Sequence, residues 1–61
     1  MKELRKVDMP DDKGRLFYIN NIRVAANKFS REKKRAGLGG IKAHRAYTDD
    51  QGRFNQQWLK G

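Results

Sequence analysis

The sequence predicts an α+β domain: a small antiparallel sheet of two hairpins with one helix between them, in the order β-β-α-β-β. Three observations carry that prediction. Two β-rich runs flank Asn20-Asn21, the stretch 26–36 has helical apolar spacing, and Asp49-Asp50-Gln51-Gly52 separates two further runs that sort into faces in one register. At 61 residues the chain is expected to be one domain. A chain this short buries only ~60% of its unfolded surface, so its core is thin.

Residues 1–13 alternate weakly through Leu4, Val7 and Met9, then meet Pro10-Asp11-Asp12-Lys13-Gly14. That cluster is a turn, in which Pro fixes φ and Asp side chains bond nearby amides. Residues 1–13 are expected to be a flexible arm or an edge strand. Residues 14–25 form a hairpin, because Asn tolerates the left-handed conformation that a two-residue turn demands. The loop opposes Ile19 to Ile22, Tyr18 to Arg23 and Phe17 to Val24. Phe17, Ile19, Ile22 and Val24 then share one face, and Leu16, Tyr18 and Arg23 the other.

Residues 26–36 read as a basic helix. Advancing by about 100° per residue, Ala25, Phe29 and Ala36 fall on one stripe, while Lys28, Arg31, Lys34 and Arg35 fall opposite and Lys33 flanks the apolar side. Gly37 suits the position just past the helix end, with Leu38 folding back onto the last turn. The entry is weaker, since Ala25 and Ala26 cap poorly. Gly37-Leu38-Gly39-Gly40 follows the helix and lacks a Gly-Lys-Ser/Thr ending, so it reads as a stop and a joint; phosphate-binding loops precede a helix.

Residues 41–60 are expected to form the second hairpin. A four-residue loop opposes Tyr47 to Phe54, Arg45 to Gln56 and Ala43 to Trp58. That register gathers Ile41, Ala43, Tyr47, Phe54 and Trp58 on one face. Lys42, His44, Thr48, Arg53, Asn55 and Gln57 lie on the other. A helix is the alternative here, because Phe54 and Trp58 stand at i and i+4.

Composition narrows the function. With no cysteine there is no disulfide and no thiolate nucleophile or ligand. One histidine, His44, beside the turn residues Asp49 and Asp50 supplies neither a convergent carboxylate site nor a triad with a positioned nucleophile. The expectation is therefore a protein that is not an enzyme, with no metal and no cofactor. No apolar run approaches the ~18–20 residues of a membrane span, so a soluble, cytoplasmic protein with no membrane partner is expected. A thin core leaves room for a homo-oligomer.

The formal net charge is +8, and it is unevenly placed. Residues 28–45 hold seven basic side chains against Glu32 alone, whereas residues 1–13 balance four bases with four acids. Like charges at i, i+3 and i+4 repel mildly, and a polyanion would relieve that repulsion. The leading expectation is a nucleic-acid-binding protein, for DNA or RNA, with Lys28, Arg31, Lys34, Arg35, Lys42 and Arg45 on phosphates. Arg and amide side chains read base edges, which makes Arg53, Asn55 and Gln57 candidates for base contacts. Tyr18 and Trp58 are candidates for stacking or for an interface. The alternative is a protein–protein interaction module docking an acidic partner: a small regulator or inhibitor of phage or mobile-element type, or a basic subunit of a larger assembly.

Overall fold

The computed structural model describes residues 2–60. Its strands are β1 (Lys2–Asp8), β2 (Arg15–Ile19), β3 (Ile22–Val24), β4 (Arg45–Thr48) and β5 (Phe54–Lys60), its α-helix is α1 (Ala26–Arg35), and a single 3-10 turn spans Pro10–Asp12. All strand pairs are antiparallel, and they form one sheet in the order β3-β2-β1-β5-β4. The expected order β-β-α-β-β is present, with the N-terminal strand added to it. No helix among the described residues is long and apolar enough to cross a membrane.

The first hairpin has the expected register, with Phe17 opposite Val24, Tyr18 opposite Arg23 and Ile19 opposite Ile22. Asn20 and Asn21 both take positive φ, 50° and 67°. That is the pair of left-handed residues whose twist matches the flanking strands in a two-residue loop. The helix also ends as its sequence implies. Gly37 has φ 75°, its N–H donates to the Lys34 carbonyl at 3.0 Å, and the Leu38 N–H donates to the Lys33 carbonyl at 2.9 Å. This double bond pattern satisfies the last free carbonyls and turns Leu38 back into the core.

The N-terminal segment is a strand, but it lies at the centre of the sheet instead of at an edge. β1 pairs with β2 on one side, Leu4 opposite Ile19, and with β5 on the other, Leu4 opposite Trp58. Leu4 and Val7 are spaced three apart and so point to opposite faces. Both are nonetheless buried, at 0% and 2% exposure. An interior strand is flanked by neighbours on both sides, so their side chains can bury a residue on either face even where no helix covers it.

The helix lies on one face of the sheet. Leu4, Phe29, Leu38 and Trp58 form the core there, with Phe17, Ile19, Val24, Ala36 and Ala43 packed around them. The Phe29 ring sits 4.9 Å from that of Phe17 and 6.1 Å, edge-on, from that of Trp58. Burying a side chain like Phe29 is worth about 1.5–3 kcal/mol. The indole N–H of Trp58 donates to the Ile41 carbonyl at 2.8 Å, which pins the joint after the helix onto β5.

The second hairpin is present, but β4 is shifted by one residue from the expected register. Arg45 opposes Gln57, Ala46 opposes Gln56, Tyr47 opposes Asn55 and Thr48 opposes Phe54. The cause is the turn. The Gly52 N–H donates to the Asp49 carbonyl at 3.0 Å, and the Asp49 N–H donates to the Arg53 carbonyl at 2.9 Å. Gly52 takes φ 77°. A turn followed by one left-handed glycine makes a three-residue loop, not a four-residue one. Because side chains alternate strictly, a shift of one residue moves every side chain of β4 to the other face. Tyr47 and Arg45 therefore leave the helix side.

Candidate nucleic-acid interface

The face of the sheet opposite α1 is open, and the strand registers write out its contents. Arg23 pairs with Tyr18, Tyr18 with Arg5, Arg5 with Gln57 and Gln57 with Arg45. Directly opposed residues share a face, so Arg23–Tyr18–Arg5–Gln57–Arg45 is one row crossing all five strands. The next row is Leu16, Val7, Asn55 and Tyr47. At about 4.8 Å per strand, the long row spans roughly 19 Å.

Two of the guanidinium groups lie on aromatic rings. The Arg5 Cζ is 4.5 Å from the Tyr18 ring centre, and the Arg45 Cζ is 4.6 Å from that of Tyr47. Stacking on a ring holds a guanidinium plane in place while leaving its N–H edges free. None of Arg5, Arg23 and Arg45 forms an ion pair among the described residues. Among the described residues the Arg5 Nε is buried without a partner, and its Nη2 makes only a long bond to the Asn21 Oδ1, 3.4 Å. Glu3 stands two residues before Arg5 on the same face of β1.

The helix carries a second basic surface on the other side of the molecule. Lys28, Arg31, Lys34 and Arg35 are all exposed there. Lys28, Arg31 and Arg35 surround Glu32 in a shallow depression of about 280 Å³. Lys2 donates to the Glu32 carboxylate at 2.6 Å. That hydrogen bond, then the charge of Lys2, holds the Glu32 carboxyl below its usual range. Lys42 belongs to the helix side as well. It lines a groove of about 490 Å³ with Lys6, Lys33 and Trp58, where the Lys33 Nζ rests 3.8 Å from the Trp58 ring centre. Burial pushes the Lys33 ammonium pKa down, and the charge of Lys6 adds to that.

The expected phosphate-binding set is thus divided. Lys28, Arg31, Lys34, Arg35 and Lys42 stay on the helix side, while Arg45 joins the open sheet face. The expected base-reading set also divides. Asn55 is only 2% exposed, and its Nδ2 donates to the Asp49 carboxylate at 3.2 Å and to the Arg53 carbonyl at 3.1 Å. Arg53 donates to the same carboxylate through Nε at 2.8 Å. Desolvation raises the Asp49 pKa, but hydrogen bonds from the Arg53 backbone and side chain, Asn55 and the Gln51 backbone outweigh it and leave the carboxyl at about 2. Asp49, Arg53 and Asn55 therefore close the hairpin end, and Asn55 has no free edge for a base. Gln57 alone of the three sits in the open row. Tyr18 lies in that row too, whereas Trp58 is core, 4% exposed, and offers no ring to a ligand. His44 is taken up by the strand edge: its Nδ1 accepts from the Leu59 N–H at 3.0 Å.

Sequence reasoning missed Arg5 and Tyr47 as site residues, and gave Arg23 no role beyond its pairing with Tyr18. The signal for Arg23 was present in that pairing; the signal for Tyr47 was the glycine of the second turn. In comparisons with known proteins, no family model matches this chain, and no curated protein and no solved structure matches it significantly.

Proposed function

We propose that this chain is a small, non-enzymatic nucleic-acid-binding protein of the cytoplasm, and that its open sheet face is the principal contact surface. The observation that carries this reading is the row Arg23–Tyr18–Arg5–Gln57–Arg45, in which three guanidinium groups alternate with a ring and an amide across five strands. Guanidinium N–H groups bond phosphate oxygens bidentately, and rings and amides are the groups that meet bases. The basic helix face on the far side adds long-range attraction for a polyanion.

Two measurements test the reading together. Binding to labelled oligonucleotides is expected to weaken steadily as salt rises, because each neutralised phosphate releases counterions. A pull-down with the full chain is expected to lose its partners once the lysate is treated with nuclease. A flat salt response, with a stoichiometric acidic protein retained after nuclease, would replace this reading with a protein–protein module.

A further inference from the structure

Resting on the nucleic-acid reading above, we infer that the ligand is single-stranded, laid across the strands of the open face with unpaired bases stacked at the Tyr18–Arg5 and Tyr47–Arg45 pairs. The first support is size. The major groove of a DNA duplex is about 12 Å wide and admits a helix or a two-stranded ribbon. The open row is roughly 19 Å across, by strand spacing, so it does not enter a groove as a unit. A ribbon of β4 and β5 alone would fit, but its central amide, Asn55, is buried and bonded to Asp49 and Arg53. A duplex would meet this face through a few phosphates only.

The second support is the spacing of chemistry within the row. Arg23, Arg5 and Arg45 stand on β3, β1 and β4, which are the first, third and fifth strands of the sheet. Guanidinium groups thus recur about every 10 Å, at twice the strand spacing. Tyr18 and Gln57 fill the strands between them, and Tyr47 follows Arg45 by two residues on the same face of β4. A backbone running across the strands would meet a charge, then a planar or amide group, then a charge again. Only unpaired bases have faces free to use the planar groups; in a duplex they are stacked on one another.

The third support is preorganisation. The Arg5 and Arg45 guanidinium groups already rest over their rings, at 4.5 and 4.6 Å, so less ordering of these long side chains is left for binding to oppose.

The test uses the full chain and four probes of equal length: mixed-sequence single-stranded DNA, the same sequence as RNA, a hairpin duplex, and an abasic single strand of equal charge. Binding is read by fluorescence anisotropy at low salt. Both base-bearing single strands are expected to bind at least roughly tenfold tighter than the duplex and the abasic strand. Tyr18→Leu and Tyr47→Leu are each expected to weaken single-strand binding by roughly 5- to 150-fold, the range of one base–aromatic stack, and to weaken duplex binding by much less. Leu keeps the half-buried apolar contact, and circular dichroism checks the fold. Should Tyr18→Leu fail to fold, the comparison of abasic and base-bearing strands on the unaltered chain decides alone. Equal binding of abasic and base-bearing strands overturns the stacking inference while leaving the nucleic-acid reading standing. Duplex binding equal to or tighter than single-strand binding does the same. No binding to any of the four probes overturns both.

Discussion

Two basic surfaces on opposite sides of one sheet make the docking face a measurable quantity. Consider two triple variants. The first, Arg5→Gln/Arg23→Gln/Arg45→Gln, removes the guanidinium row of the open sheet face; the second, Lys28→Gln/Arg31→Gln/Arg35→Gln, removes three of the four exposed bases of the helix face. Each lowers the net charge from +8 to +5, so a change in overall field is common to both and cancels in the comparison. Neither breaks an ion pair among the described residues, and folding is expected to survive both. For single strands, log Kobs falls with log salt by about 0.7 per neutralised phosphate. Three guanidinium contacts give a slope near −2, or roughly 20-fold weaker binding between 50 and 200 mM salt. The sheet variant is expected to flatten that slope toward zero, and the helix variant to keep it while binding slightly more weakly overall. Anisotropy titrations at four salt concentrations read the difference. The reverse pattern, a flat slope for the helix variant and an unchanged one for the sheet variant, would refute the assignment of the open face.

Three further predictions concern the scaffold. Leu4→Ala removes the residue at the centre of the core, 0% exposed against Phe29 and Trp58. Such truncations cost about 2–5 kcal/mol, against a total of about 3–9 kcal/mol for a chain of this size. A urea melt followed by Trp58 fluorescence is expected to lose most or all of its folded baseline. Gly52→Ala meets no atom within 4 Å but must hold φ 77°, so its cost is conformational, about 1–2 kcal/mol, seen as a lower thermal midpoint with unchanged binding chemistry. Asp49 sets an acid limit. Its folded pKa of about 2 lies below the ordinary 3.8, so its stabilisation is complete above about pH 4 and drains away as pH falls through 2. Thermal melts from pH 6 to pH 2 are expected to show that loss, and Asp49→Asn is expected to remove it; an unchanged acid profile in the variant would clear Asp49 of the role.

The parts of the fold legible in the sequence are those written by neighbours along the chain. Asn20-Asn21 names its turn type, and that turn alone sets the pairing of Phe17 with Val24 and of Ile19 with Ile22. Phe29, Gly37 and Leu38 similarly mark a helix stripe, a stop and a return to the core within ten residues. β1 was harder because its two apolar residues, Leu4 and Val7, stand at an odd spacing. One is buried under the helix and the other on the opposite face, so no period-2 pattern survives to distinguish an interior strand from an arm. Its centrality depends on β5, whose partner residues lie some fifty positions away.

The site was less legible than the fold, and one glycine accounts for much of that. Counting loop residues between Tyr47 and Phe54 leaves two registers one step apart, and both bury some apolar groups. The left-handed Gly52 selects the three-residue loop, and with it the face that Arg45 and Tyr47 present. The basic run 28–45 is continuous in the sequence, yet the sheet separates Arg45 from Lys28, Arg31, Lys34 and Arg35. Conversely, the charge-balanced first thirteen residues supply Arg5, because three of their acids, Asp8, Asp11 and Asp12, lie off the open face or in the turn beyond it. Charge density along a chain reports how strongly a polyanion is attracted. Which side chains touch it is set by register, and register here turns on the φ of a single residue.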